Sequence, residues 1–392
     1  MKKIMAFSGE FYLTKVPILD KHKKIFGYFL SVKDYEDKPV SVKELADILV
    51  HTDLKKLSGS YPVFLKVEPE ILTHDILDYL PTDQIIFLLD TFSLSDELIA
   101  IIKELKKEFF RFSFVYDSDF EKVKDLADYI FVSIDDIDSQ IYMLKDKAII
   151  TDIYTMEEFN DLVNEGFKYF KGDFIFKPAT IVEKKINPSK LAVMELFTKV
   201  RENFNPKEIE ELIKRNPDLS ISLLRYVNSA AFSFRSKITS IRHAISILGQ
   251  RNLLQWLLLF LYRAGENEPF AETLLEVSAE RGKTMEILAQ QIGLPDEETE
   301  KAFLVGILSL VDKLLGVSPE KLGKELNLDE EIINAISKKE GVLGKLLFIV
   351  EKTEEGKIGE ASDTIEKLGL HLNDVMSAQL KAFAWFEEIN LV

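Results

Sequence analysis

Two different hydrophobic patterns divide the chain near residue 186. Before that point, short runs of β-branched and aromatic residues alternate with amphipathic stretches, which predicts strands alternating with helices. The predicted strands cover residues 61–67, 84–90, 111–116, 129–134 and 148–153. The predicted helices cover residues 41–57, 69–80, 93–108, 119–127, 136–146 and 155–165. This alternation indicates a parallel sheet or barrel, since each parallel crossover needs a covering element.

After residue 186 the strand pattern disappears and only helical spacing remains. Asn205, Asn216 and Ser318 each precede a proline, which is typical of a helix start. Apolar residues then recur every three or four positions over residues 219–227, 238–248, 274–292, 297–315, 341–352 and 375–389. We therefore predict an α/β domain over residues 1–186 and an all-helical domain over residues 187–392.

Composition narrows the class of protein. The 392 residues are 46% apolar and include 28 phenylalanines, which is enough to build two globular cores. The chain has no cysteine, so disulfides, thiolate metal sites and cysteine nucleophiles are excluded. The first ten residues contain no signal-like apolar run, and the apolar stretch 252–262 is shorter than the roughly 20 residues of a membrane span. We expect a cytoplasmic protein without membrane contact.

Charge is distributed unevenly. A net charge of −16 argues against nucleic-acid binding by the whole surface, so we expect no DNA partner. The stretch 219–265 nevertheless has no acidic residue and contains several cations, of which we assign Arg225, Arg235, Lys237, Arg242 and Arg251 to a candidate interaction surface. They could pair with acids elsewhere, such as residues 135–138 or 296–300, or form a phosphate or RNA patch. We favour acidic pairing, since no exposed aromatic residues are interleaved with the arginines.

A motif in the second half resembles a known family. The run Asn216-Pro-Asp-Leu-Ser, the run ending Val-Asn228-Ser229-Ala-Ala-Phe, and the run Ile238-Thr-Ser-Ile-Arg-His-Ala-Ile-Ser-Ile-Leu-Gly249 closely resemble the signature of HDOD domains. These helical signalling modules are related to HD-type metal phosphohydrolases. At the position of the HD metal-binding pair this chain has Ser309 and Leu310. The resemblance thus implies no metal site, and we favour backbone anchoring over catalysis for Asn228 and Ser229.

Shorter motifs in the first half are similar to EAL domains, which are barrel-like cyclic di-GMP phosphodiesterases. They include residues 16–20, 24–30, 114–117, 126–130 and 169–178, in the same order. An active EAL site holds divalent metals with carboxylates and an Asn at strand ends, and orients water with a lysine. The resemblance places those functional positions on Phe29, Lys66, Phe87, Phe112, Ser113, Phe131, Ser133, Thr151, Tyr154 and Lys171. It therefore implies that the metal ligands are lost.

Two groups of residues could be remnants of such a site. Lys33, Lys66 and Lys171 stand where the family has an Arg, an Asn and a Gln, and they could retain phosphate binding. Against this, Phe29, Phe87 and Phe112 suggest a filled barrel mouth. Carboxylates at strand ends could instead form a different metal site, although helix capping is the commoner role of such acids. These carboxylates are Glu68, Asp90, Asp117 and Asp152.

Taken together, the motifs are similar to an EAL–HDOD fusion with a shortened TIM-like barrel. Only six or seven strands are recognisable where eight would close a barrel, which predicts an open or flattened end. We predict a catalytically inactive signalling or scaffolding protein without cofactor, metal or catalytic residue. It would act on a protein partner, including a second copy of itself in a homodimer. The alternatives are an effector that binds cyclic di-GMP or another nucleotide, a weak phosphodiesterase, and an RNA-associated regulator.

Overall fold

The first half of the chain folds into a closed barrel. A computed structural model describes residues 10–176, 186–232, 234, 236–263 and 270–389. The strands are β1 (Tyr12–Asp20), β2 (Ile25–Lys33), β3 (Val63–Lys66), β4 (Ile85–Asp90), β5 (Arg111–Val115), β6 (Tyr129–Ser133), β7 (Ala148–Ile153) and β8 (Tyr169–Gly172). They pair in chain order, and β8 closes onto β1. The predicted open end is therefore wrong.

The closing strand runs against the others. β1 is antiparallel to β2, where Val16 faces Phe29, and to β8, where Leu19 faces Phe170. All pairs from β2 to β8 are parallel. Because parallel strands end at the same side, the carboxyl ends of β2 to β8 together form one mouth of the barrel.

Helices and turns cover the outside of the barrel. The α-helices are α1 (Val42–His51), α2 (Leu54–Ser58), α3 (Asp96–Lys107), α4 (Ser139–Met143) and α5 (Met156–Asn164). The helices predicted over residues 69–80 and 119–127 are short 3₁₀ turns instead. The first is broken at His74, whose extended backbone lets its Nδ1 accept the Ile76 N–H and start a second turn.

The inside of the barrel is packed with apolar side chains. Its buried cluster consists of Ile18, Phe64, Ile86, Leu88, Phe131 and Ile149, which come from five strands, β1 among them. Phe26 and Tyr169 close it towards the amino ends of the strands, with ring centroids 4.0 Å apart. The barrel is thus a filled core, with space for a site only at its ends.

The described part of the second half is all-helical, which confirms the predicted fold class. Its helices are α6 (Pro188–Glu202), α7 (Pro206–Lys214), α8 (Pro217–Val227), α9 (Ile241–Arg263), α10 (Ala271–Gln291), α11 (Asp296–Leu308), α12 (Val311–Leu315), α13 (Pro319–Glu325), α14 (Glu330–Lys338), α15 (Gly341–Glu354), α16 (Ser362–Lys367) and α17 (Leu372–Ile389). The helix predicted over 297–315 is split between α11 and α12, where Ser309 and Leu310 break it.

One helix, α9, is apolar and long enough to meet a simple criterion for a membrane span. More than half of its apolar window is buried inside the protein. Gly249 has φ +68° and breaks the helix, so the straight segment that follows ends at Arg263 and is much shorter than a bilayer crossing. The structure therefore shows no clear membrane span among the described residues.

The chain forms two compact units, and each unit is built from more than one segment of the sequence. The barrel unit also contains Lys352–Glu366 and His371–Met376, which come from the carboxyl-terminal region. Thr14 of β1 donates its hydroxyl to the Thr353 carbonyl at 3.3 Å, and Thr353, Ile358 and Ile365 are fully buried. The end of α15 and the segment that follows it up to Glu366 are therefore part of the barrel's packing.

Candidate functional site

The mouth of the barrel contains a cavity of about 380 Å³. Lys33, Lys66 and Ser133 are the last residues of β2, β3 and β6 and line it together with Lys171 of β8. The remaining lining residues are Phe29, Ser31, Val32, Pro39, Leu88, Val115, Tyr116, Phe131, Asp136, Thr151 and Asp152. The structure thus brings the three predicted phosphate-remnant lysines around one space.

Lys66 is neutralised by a neighbouring strand. Its ammonium forms an ion pair with Asp90, the last residue of β4, and both side chains are largely shielded from solvent. The pairing follows from register, since Lys66 lies beside Leu88 and its side chain reaches the next inward position on β4. Asp90 is therefore engaged by a cation within the protein.

Lys171 lies deeper in the mouth. Its Nζ is 5.0 Å from the centroid of the Phe29 ring, a cation–π distance. Burial lowers the pKa of Lys171, the nearby ammonium of Lys33 adds to that lowering, and the carboxylates of Asp152 and Asp173 oppose it. An ammonium in this position is poorly solvated. Lys171 is therefore stabilised either by losing its proton or by an anionic group beside it.

Aromatic rings occupy the floor of the mouth, although fewer than the sequence suggests. Phe29 and Phe131 pack with centroids 6.1 Å apart, and Phe131 contacts Phe64 below it. Phe87 and Phe112 do not belong to this set. They are neighbours in register and pack in a tilted arrangement with ring centroids 5.9 Å apart, on the strand face opposite the inward Leu88 and Ser113. The expectation that these two rings fill the mouth is therefore wrong.

The four strand-end carboxylates have separate surroundings. Asp90 pairs with Lys66, Asp117 accepts the Thr91 hydroxyl, and Asp152 accepts the Thr151 hydroxyl at 2.8 Å. Glu68 is exposed before a 3₁₀ turn and makes no capping bond with its side chain. Within the described ranges, no group of three or more His, Asp or Glu side chains is placed to share a metal.

Sequence reasoning missed Tyr116 as a residue of the mouth. It follows β5 directly, lines the cavity and donates its hydroxyl to Asp138 at 2.6 Å. Burial, together with that bond, raises the pKa of Tyr116 to about 12. The predicted strand 111–116 included Tyr116, whereas β5 ends at Val115. A correct strand end would have placed Tyr116 at the mouth.

In the helical unit, the HDOD signature residues have structural contacts. The Asn228 amide donates from Nδ2 to the carbonyls of Leu224 and Ile238, at 2.6 and 2.7 Å, and its Oδ1 accepts the Ile238 N–H at 2.8 Å. The Ser229 hydroxyl is buried. Gly249 adopts a left-handed backbone that turns α9. Asn228 therefore anchors the end of α8 to the backbone of Ile238, which lies three residues before α9.

The candidate basic surface is partly neutralised inside the same unit. Arg242 pairs with Glu210 at 2.6 Å, and Arg251 pairs with the buried Glu286 at 2.5 Å and with Glu300 at 3.6 Å. Glu300 belongs to the acidic turn named above as a partner. Arg225 and Lys237 are exposed, and Arg235 lies outside the described residues.

A buried cation from α10 contacts the position of the HD pair. Ser309 donates its hydroxyl to the Gly306 carbonyl at 2.6 Å and accepts from Arg281 at 2.8 Å. Arg281 is 5% exposed and lies 3.5 Å from Glu351. Leu310 is buried. The Ser309 hydroxyl is therefore engaged by a guanidinium and by a backbone carbonyl.

Comparison with known proteins identifies the class of the helical half. The family model of the HDOD domain matches residues 188–339, so the predicted HDOD domain is confirmed.

Two curated proteins are similar over almost the whole chain. One is the cyclic di-GMP phosphodiesterase CdgJ of Vibrio cholerae, 26% identical over 411 residues that cover 97% of this chain and 93% of that protein. The other is the uncharacterized protein YuxH of Bacillus subtilis, 23% identical over 404 residues that cover 95% and 97% of the two chains.

Solved structures similar to this chain include two EAL domains. The FimX EAL domain of Pseudomonas aeruginosa bound to c-di-GMP is 12% identical, with a TM-score of 0.33, over 43% of this chain and 90% of that one. A standalone EAL protein of Vibrio cholerae O395 in its c-di-GMP-bound form is 13% identical, with a TM-score of 0.34, over 43% and 91%.

Proposed function

We propose that this chain is a signalling protein of cyclic di-GMP regulation that does not hydrolyse the nucleotide and acts by binding a protein partner. The link to cyclic di-GMP is supported by the full-length similarity to CdgJ, which is named a cyclic di-GMP phosphodiesterase. The absence of hydrolysis is a separate inference from the barrel mouth.

The observation that carries it is the chemistry of the mouth. Metal-assisted phosphodiester hydrolysis needs anionic ligands that hold one or two divalent ions and activate water. Here the cavity presents Lys33, Lys66 and Lys171, and the carboxylate of Asp90 is bound by Lys66. A lysine ammonium in this cavity would repel a divalent metal at a few ångströms, and the Asp90 carboxylate that could hold a metal is already paired. The mouth therefore lacks the electrostatics of a two-metal site.

The experiment is a hydrolysis assay on the full chain. Cyclic di-GMP is incubated with Mg²⁺ or Mn²⁺ and the linear product is separated by chromatography. We expect no turnover above a blank without protein. Turnover that disappears in Glu68→Gln or Asp90→Asn, while Asp83→Asn leaves it unchanged, would contradict the proposal and favour a weak phosphodiesterase.

A second candidate is an effector that binds a nucleotide without cleaving it. It is favoured by one observation, the convergence of three lysines on a cavity with aromatic walls. Equilibrium dialysis with labelled cyclic di-GMP tests it. Saturable binding that is weakened at least tenfold in Lys171→Gln, and not in Lys168→Gln, a lysine that does not line the cavity, would support this candidate. Absence of binding would leave partner recognition as the function.

A further inference from the structure

The side-chain amine of Lys171 is both unpaired and accessible from the barrel mouth. Its Nζ lies 5.0 Å from the centroid of the Phe29 ring, and within the described ranges it forms no hydrogen bond and no ion pair. Lys171 lines the cavity of about 380 Å³. Unlike the Ser31 hydroxyl of the same wall, its nitrogen is not sealed from that space. A small molecule in the cavity can therefore reach the amine.

Two features of the cavity favour a reactive amine. The wall around Lys171 is largely apolar and includes Phe29, Leu88 and Phe131. The second feature is the ammonium of Lys33, which lines the same space and adds to the effect of burial in lowering the pKa of Lys171. Lysines become nucleophiles near neutral pH when an apolar pocket or a neighbouring cation disfavours their protonated form. Lys171 has both kinds of surroundings.

The other charged groups around the cavity leave Lys33 as the cation that acts on Lys171. Lys66 is paired with Asp90. Lys33 itself forms no ion pair in the part of the chain that the structure describes. The remaining titratable groups that face this space or act on Lys171 are Asp136, Asp152, Asp173 and Tyr116. With Lys171 unprotonated, acids and cations are closely balanced, which suits an uncharged ligand.

We propose that Lys171 forms an imine with a small, uncharged aldehyde or ketone that enters the cavity. The nitrogen lone pair attacks the carbonyl carbon, and the carbonyl oxygen leaves as water with the two amine protons. A C=N bond thus replaces the C=O bond, and no redox partner is required. The carbon chain of such a compound suits the aromatic floor formed by Phe29 and Phe131. This chemistry does not rest on the partner-binding function proposed above.

The test is reductive labelling of the full chain with butanal and sodium cyanoborohydride, which reduces an imine to a stable secondary amine. Digestion with chymotrypsin and mass spectrometry give the labelling rate of each lysine. Lys103 is the internal reference, because it is exposed on α3 and has no ion pair in the described chain. We expect Lys171 to react at least about tenfold faster at about pH 7.5, where roughly one in a thousand ordinary lysines is unprotonated. In concentrated urea the two rates should become equal.

Three variants connect the result to the cavity. Lys33→Met should move the labelling of Lys171 to higher pH, Lys33→Arg should restore the parent profile, and Lys168→Met should leave it unchanged. Thr151→Trp narrows the cavity and should slow Lys171 but not Lys103. The comparison of Lys171 with Lys103 in the parent remains decisive even where a variant does not fold. Equal rates in the folded chain, a difference that persists in urea, or an unchanged pH profile in folded Lys33→Met would overturn the proposal.

Discussion

Replacing Asn228 by Ala should destabilise the helical unit far more than its half-buried position suggests. The side chain makes three hydrogen bonds, two of them to backbone groups of Ile238, which is 3% exposed. A net hydrogen bond contributes about 0.5–1.5 kcal/mol, and a buried backbone group left without a partner costs more. We therefore expect a loss of about 2–4 kcal/mol in the free energy of unfolding.

The assay combines urea unfolding of the full chain with hydrogen exchange followed by mass spectrometry. Exchange resolves the segment around Ile238, so it reports the local effect even where the two units unfold separately. Asn252→Ala is the matched control, because Asn252 makes one such bond, from Nδ2 to the Leu248 carbonyl at 2.9 Å. Asn228→Asp should be intermediate, since it keeps the acceptor and loses both donors. Unchanged exchange near Ile238, or an equal effect of Asn252→Ala, would refute the reasoning.

Three further predictions follow from single contacts. Burial lowers the pKa of Lys171, so between that lowered pKa and 10.5 the unfolded state binds more protons than the folded state, and stability rises with pH in that window. Lys171→Met should therefore stabilise the barrel at pH 7 and lose that advantage near pH 10, as measured by urea midpoints. Arg251→Met should cost about 2–4 kcal/mol because it weakens the neutralisation of the buried Glu286, and adding Glu286→Gln should recover part of it in a double-mutant cycle. Gly356→Val should lower the melting temperature more than Gly369→Val, since both have φ near +70° but only Gly356 has neighbours within 4 Å; equal shifts would count against the packing of the carboxyl-terminal segment on the barrel.

Local sequence patterns predicted the strands that are continuous apolar runs between polar turns. β3 to β7 are apolar runs bounded by polar turns, and their alternation with covering segments predicted the barrel. β1 and β2 were not assigned as strands, because polar and apolar residues alternate irregularly along them and β1 contains Thr14, Lys15 and Pro17. β8 has only four residues. Closure of the barrel depends on these three strands, so it was the feature most easily missed.

The candidate site, like the barrel closure, was only partly predictable from local sequence. The three lysines could be assigned from motif positions, and the structure places them around one cavity. Whether Phe87 faces the mouth depends on a shift of one residue in a strand, which inverts every side chain. The partners of Arg251 lie 35 and 49 positions away on other helices, and no local pattern identifies such a pair. Long-range packing decides both features.

The most direct test of the central claim is a titration of the full chain with Mn²⁺ followed by electron paramagnetic resonance. The claim is that the barrel mouth holds no divalent metal, because lysines stand among its carboxylates. We expect the free Mn²⁺ signal to rise in proportion to added metal, in the presence and absence of cyclic di-GMP, and to be identical in the parent and in Asp90→Asn. A saturable site that retains Mn²⁺ in the parent and is lost in Asp90→Asn would contradict the account.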